Sequence, residues 1–107
     1  MFKAALAMRE RLAMNSPQAY EPALADSYYN LAILYRDTQR YDESEAMYKS
    51  AIAIREHLAE DDLQVYGPAL ARSYNNLAIL YNETQRLAES EEMYNAAAVI
   101  RERLGIE

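Results

Sequence analysis

Cysteine is absent from the 107 residues. That excludes disulfides, zinc–thiolate sites and thiol nucleophiles, and it fits an intracellular protein, for which the cytoplasm is the expected location. Histidine occurs once, as His57. A lone imidazole cannot build a His-based metal site, nor a triad with a Cys that is missing. Near the end of a charged helix, His57 reads as a solvated residue favoured by the helix dipole. Two Gly and three Pro supply too few turns for a β-sandwich or barrel. With only Gly67 and Gly105, no Gly-rich phosphate loop can form. Uncharged apolar runs fall far short of the ~20 residues that span a bilayer. The opening "MFKAALAMRERLAM" is cut by Arg9, Glu10 and Arg11, so a secretory signal is not expected.

Positive charge is also scarce. The formal net charge is −6, which repels phosphate backbones, so neither nucleic acid nor an anionic membrane is an expected partner. The acidic groups at Asp42–Glu45 and Glu60–Asp62 lack the spacing and central Gly of a calcium loop. They read as a helix start and as solvated surface. Neither metal nor cofactor is expected, and the inventory of usable groups argues against an enzyme.

What is present is repetition. "NLAILY" fills Asn30–Tyr35 and returns at Asn76–Tyr81, 46 positions on. Pro22 and Pro68, Tyr20 and Tyr66, and the "IRE" runs at Ile54 and Ile100 keep the same offset. It also runs backwards, from "IREHL" at Ile54 to "MRERL" at Met8, and Met1, Met47 and Met93 recur at one position. Pro22–Glu60 aligns with Pro68–Ile106 without a gap. A fixed period of this size marks a stacked repeat architecture.

Each period holds two helices. Leu24, Tyr28, Leu31 and Tyr35 follow helical spacing and mark one face of a first helix, expected over Pro22–Asp37. Pro22 suits its first turn, where a missing N–H is harmless. Met47, Ala51, Ile54 and Leu58 do the same for a second helix over Asp42–Ala59, and its early carboxylates suit the positive helix end. The short join "DTQRY" makes the two antiparallel neighbours. Leu70, Tyr74, Leu77 and Tyr81, then Met93, Ala97, Ile100 and Leu104, repeat the pattern. Asn15, Ser16, Pro17, Asp61, Asp62 and Gly67 read as stop-and-turn residues between units. The opening segment matches only the later part of a second helix. The expected fold is therefore all-α: an α-solenoid of five helices, one orphan and two pairs. It forms one array over 1–107, with a partial repeat at 1–15, a full repeat at 20–60 and another at 66–105.

These residues resemble the tetratricopeptide repeat (TPR). Tyr28, Leu31, Ala32 and Tyr35 match its first helix, and Ser44, Tyr48 and Ala51 its second. Tyr74, Leu77, Ala78, Tyr81, Ser90, Tyr94 and Ala97 match in the next unit, and Phe2 and Ala5 in the opening fragment. The wording "YNNLAILYNETQRLAESEEMYNAAAVIRERL" is similar to the longer kinesin-light-chain-type repeats. Two departures stand out. The period is 46 against about 34 in the usual repeat. Gln39 and Gln85 replace the usual Gly between the helices, and a left-handed Gln costs on the order of a kcal/mol, so the turn is expected to avoid that conformation. Small Ala32 and Ala78 let paired helices approach, and Leu34 and Leu80 are expected to join the core.

The resemblance implies a non-enzymatic scaffold that binds a peptide or partner helix in a groove lined by first helices. The implied groove positions are Asp26, Tyr29, Asn30, Ile33, Arg36 and Asp37, then Arg72, Asn75, Asn76, Ile79, Asn82 and Glu83. Tyr29, off the packing pattern, is expected to be exposed. Asn30, Asn75, Asn76 and Asn82 can present amides that pair with any peptide backbone, or Asn30 and Asn76 can bond to neighbouring helices and hold the stack. The carboxylate clamp of chaperone-binding members is disfavoured, because the face offers only Arg36 and Arg72 beside acidic residues. A second reading is self-association into a homo-oligomer through uncapped ends, by stacking or helix exchange. There Ala96, Ala97, Val99, Ile100 and Leu104 are expected to leave an open apolar strip. A third is that the chain is an excised or designed piece of a longer array.

Overall fold

The computed structural model describes residues 2–15 and 17–105, and side chains over 5–11 and 19–105. Met1 and Ser16, and the side chain of Phe2, lie outside that description. Five helices follow one another: α1 (Phe2–Asn15), α2 (Pro17–Asp37), α3 (Tyr41–Asp61), α4 (Leu63–Glu83) and α5 (Leu87–Leu104). The described residues contain no strand. Two compact units, Met1–Ile54 and Arg55–Glu107, divide within α3.

The first helices begin earlier than expected. Pro17, not Pro22, fills the first position of α2, and Pro22 and Pro68 lie inside α2 and α4. The start of α4 is fixed by Asp62, whose side chain accepts from the Val65 N–H at 3.2 Å. That cap outweighs the proline placed a turn later. Gly67, expected as a turn, is helical and buried. A Cβ there would meet Leu63 Cδ1 at 3.1 Å and Leu104 Cδ1 at 3.2 Å, so the glycine serves close packing.

The turns between paired helices also depart from expectation. Gln39 and Gln85 do adopt the left-handed conformation, with φ of 61° and 63°. Hydrogen bonds explain why. Arg40 N donates to Tyr35 O at 2.7 Å and Gln39 N to Arg36 O at 3.0 Å. Arg86 and Gln85 repeat this with Tyr81 and Asn82. Closing the helix end in this way satisfies carbonyls that would otherwise lack partners, and only a left-handed residue allows it. Arg40 and Arg86 then lie over the Tyr35 and Tyr81 rings, each 4.5 Å from the centroid. The same guanidinium groups pair with Glu43 and Glu89.

Inside each unit, small residues set the helix approach. Ala32 and Ala78 are fully buried. Ser44 Oγ donates to Ala32 O at 2.7 Å, and Ser90 Oγ to Ala78 O at 2.8 Å. Leu24, Leu31, Tyr35, Tyr48, Ala51 and Ile52 complete the first core. Leu70, Tyr74, Leu77, Leu80, Tyr81, Ala97 and Ile100 form the second. Leu34 does not join: it is 42% exposed. The helix ahead of it, α1, makes its hydrogen bonds at Ala23, Ser27 and Tyr28, two to three turns earlier in α2. Tyr94 is likewise 44% exposed, although its counterpart Tyr48 is fully buried.

Candidate functional site

On α2 the implied partner-facing residues fall on one side of the helix. Asp26, Asn30 and Asp37 are exposed, while Tyr29, Ile33 and Arg36 are half-buried. Tyr29 is not the free aromatic expected. Its ring meets Tyr48 edge-on, centroids 6.0 Å apart at 70°, a favourable quadrupole arrangement. The Tyr48 hydroxyl is enclosed, and no described residue meets it with full hydrogen-bond geometry, although the Arg36 guanidinium lies near enough to act on it. Burial pushes its pKa up to about 12, against the opposing pull of the Arg36 guanidinium. Tyr29 and Arg36 thus serve the first unit's own packing as well as its surface.

On α4 the equivalent face is chemically different. Arg72, Asn82 and Glu83 are exposed, and Asn75, Asn76 and Ile79 are half-buried. Arg72 and Asn75, with Pro68 and Ala71, form one wall of a cleft of about 230 Å³ whose other wall is Arg101 and Leu104 of α5. The amides of Asn30, Asn75 and Asn82 hold no hydrogen bond to another described residue, whereas Asn76 has an interaction of its own. A second cleft, of about 370 Å³, includes Glu56, Glu60, Leu63, Tyr74 and Arg103. At its edge Tyr74 Oη donates to Glu56. Burial first, then this carboxylate, raises the Tyr74 pKa. Tyr28 shows the same pattern with Glu10 and is pushed up to about 12.

The strip expected to lie open on α5 is smaller than the sequence suggested. Ala97 and Ile100 are buried in the second core, because the face that carries them packs on α4. Val99 is exposed, and Ala96 and Leu104 are half-buried. His57 is exposed. Among the described residues, no three His, Cys, Asp or Glu side chains come together as a metal site would need. No described helix is long and apolar enough to cross a membrane.

One set of polar contacts escaped the sequence reading. Arg9 and Arg55 each reach a serine 18 residues on, and Glu10 and Glu56 each meet a tyrosine 18 residues on. The available signal was the joint recurrence of Arg-Glu and Ser-Tyr at the same offset.

Antiparallel helix pairs, small residues at the crossings and a recurrent buried tyrosine are now matched by a sequence comparison. The tetratricopeptide repeat profile covers residues 23–103. The chain belongs to the tetratricopeptide repeat family. Tetratricopeptide repeats generally mediate protein–protein interaction. A comparison with curated proteins finds no match.

Proposed function

We propose that this TPR chain is a non-enzymatic scaffold that binds a peptide or partner helix through the exposed faces of its first helices, α2 and α4. Its segments 20–60 and 66–105 act as the two full repeats, with 1–15 as a partial one. The observation that carries the reading is the set of amides at Asn30, Asn75 and Asn82, which hold no hydrogen bond to another described residue. An amide offers a donor and an acceptor together, so it can follow an extended backbone whatever its side chains. Beside them, Ile33 and Ile79 add half-buried apolar surface, and the cleft between Asn75 and Arg101 gives a side chain somewhere to enter. Mixed charge at Asp26, Asp37, Arg72 and Glu83 supports selection by pattern rather than by net charge.

The experiment is a screen of the full chain against an unbiased peptide array, followed by titration of the peptides that bind. The variant Asn75→Ala with Asn76→Ala should weaken them about tenfold, the scale of one or two lost hydrogen bonds, while the circular dichroism of the helices is retained. Unchanged affinity in that variant overturns the reading. Loss of helicity instead assigns the two amides to holding the stack.

A further inference from the structure

Two seats of one construction lie inside this chain. In the first, Arg9 Nη1 donates to Ser27 Oγ at 2.5 Å and to the Ala23 carbonyl at 3.2 Å. Beside it, Tyr28 Oη donates to Glu10 Oε2 at 2.5 Å. In the second, Arg55 Nη1 donates to Ser73 Oγ at 2.6 Å and to the Ala69 carbonyl at 3.4 Å, and Tyr74 Oη donates to Glu56. An Arg-Glu pair on one helix therefore grips Ala-x-x-x-Ser-Tyr on the helix that follows. The charged groups are matched at two points, which fixes both register and direction.

Helix α5 carries this pair a third time. Arg101–Leu104 reads "RERL", identical to Arg9–Leu12. Neither Arg101 nor Glu102 has a side-chain hydrogen bond or ion pair with another described residue. The surface around them is open as well. Tyr94 and Ala98 are exposed where Tyr48 and Ile52 are buried. Arg101 and Leu104 are half-buried and line the 230 Å³ cleft, where Arg55 and Leu58 are buried.

We propose that α5 is a docking seat for helix α2 of a second copy of this chain, which enters with Ser27 and Tyr28 against Arg101 and Glu102 and displaces that copy's own α1. The chain contains Ala-x-x-x-Ser-Tyr only at Ala23–Tyr28 and Ala69–Tyr74. The second is held by α3, which joins α4 through the single residue Asp62. The first is held by α1, a helix of 14 residues whose Ala5 is exposed and whose Met8 is 66% exposed. A released helix of that length does not hold its shape in water. By contrast, α5 is already folded against α4 through Ala97 and Ile100. The exchange replaces one Arg-Glu grip by an identical one at the cost of the order of α1, so it is favoured only as concentration rises, as in helix swapping between protomers. The inference sharpens the self-association expected from sequence and is read from oligomeric state alone, so it stands or falls apart from peptide binding even though Arg101 also lines the cleft beside Asn75.

The test uses full-length chains and light scattering over a concentration series. The wild-type chain should associate as concentration rises. Arg9→Ala with Glu10→Ala loosens the internal seat and should lower the midpoint concentration about tenfold. Arg101→Ala with Glu102→Ala should stay monomeric with unchanged helicity, because neither residue supports its own unit. Ser27→Ala with Tyr28→Phe should also stay monomeric. A mixture of these last two variants should form a 1:1 heterodimer, since each supplies the half that the other lacks. The proposal is overturned if the wild type and the loosened variant remain monomeric throughout. It is equally overturned if the Arg101, Glu102 variant associates like the wild type. Should the Ser27, Tyr28 variant lose helicity, the comparison of the other three chains decides alone.

Discussion

Replacing Gln39 and Gln85 by glycine should stabilise this chain, although each Gln is the residue that its turn now uses. The left-handed conformation at φ 61° and 63° presses a Cβ against the following carbonyl, at about 1–2 kcal/mol per residue. Glycine removes that strain but frees the unfolded chain, which costs about 0.4–1 kcal/mol. The side chains add nothing on the other side. Both are exposed, and neither holds a hydrogen bond or ion pair with a described residue. The backbone bonds Arg40 N to Tyr35 O and Arg86 N to Tyr81 O survive the change. The net gain is about 0.5–1 kcal/mol per turn, from the difference of those two contributions. In urea this moves the unfolding midpoint up by roughly 0.3–0.5 M for each substitution, at the slope usual for a chain of this size. Gln39→Ala is the control. It keeps the Cβ, so it should bring no gain. A Gly variant that unfolds earlier than wild type, or an Ala variant that gains as much as Gly, refutes the strain account and makes the glutamine side chain the cause.

Two further outcomes follow from the buried contacts. Ser44→Ala removes the bond to Ala32 O while leaving that carbonyl within its helix, so stability should fall by about 1 kcal/mol, read from the shift in urea midpoint; Ser90→Ala should match it. Stability should also fall steeply as pH rises from 10 towards 12. Tyr28 moves from an ordinary 10.0 to about 12 in the folded chain, and Tyr74 is raised for the same reasons. Below pH 10 both states keep the neutral phenol and the contribution is complete; above it the unfolded chain ionises first, and the contribution is lost as pH passes the folded value. Tyr28→Phe with Tyr74→Phe should flatten that alkaline fall in a pH series of unfolding curves, without abolishing it, because Tyr48 is raised too.

Much of this architecture was legible because packing repeats. Leu31, Ala32 and Tyr35 recur as Leu77, Ala78 and Tyr81, and all six are buried. Helix starts were harder. Pro22 looks like a first-turn residue, yet Pro17 competes for that place, and nothing local ranks the two. At α4 the cap Asp62 decides, through a bond to Val65 that sequence shows only as one acidic residue among several. Gln39 defeated a propensity argument because the strain at one residue is outweighed by two backbone bonds. Tyr29 and the Arg-Glu grip were hidden for another reason. Their partners lie 18 or 19 positions away, beyond the reach of any single-helix period.

What differs between the copies carries more meaning than what recurs. At equivalent positions Tyr29 becomes Asn75, Arg36 becomes Asn82 and Asp26 becomes Arg72. On α2 the long side chains lie close to Tyr48 and help to enclose it. On α4 the short amides stand in those places, and Tyr94 is left 44% exposed. The first unit therefore uses Tyr29 and Arg36 for its own closure and keeps Asp26 at its surface. The second leaves an aromatic ring, two amides, a guanidinium and a cleft at its surface. Tyrosine and arginine are among the residue types that give interfaces their strongest anchors. This asymmetry makes α4 and α5 the natural place for both proposed partners: a peptide along Asn75, Asn76 and Asn82, and a second copy's α2 against Arg101 and Glu102. The two sites adjoin at the cleft that Asn75 and Arg101 share, so occupancy of one bears sterically on the other.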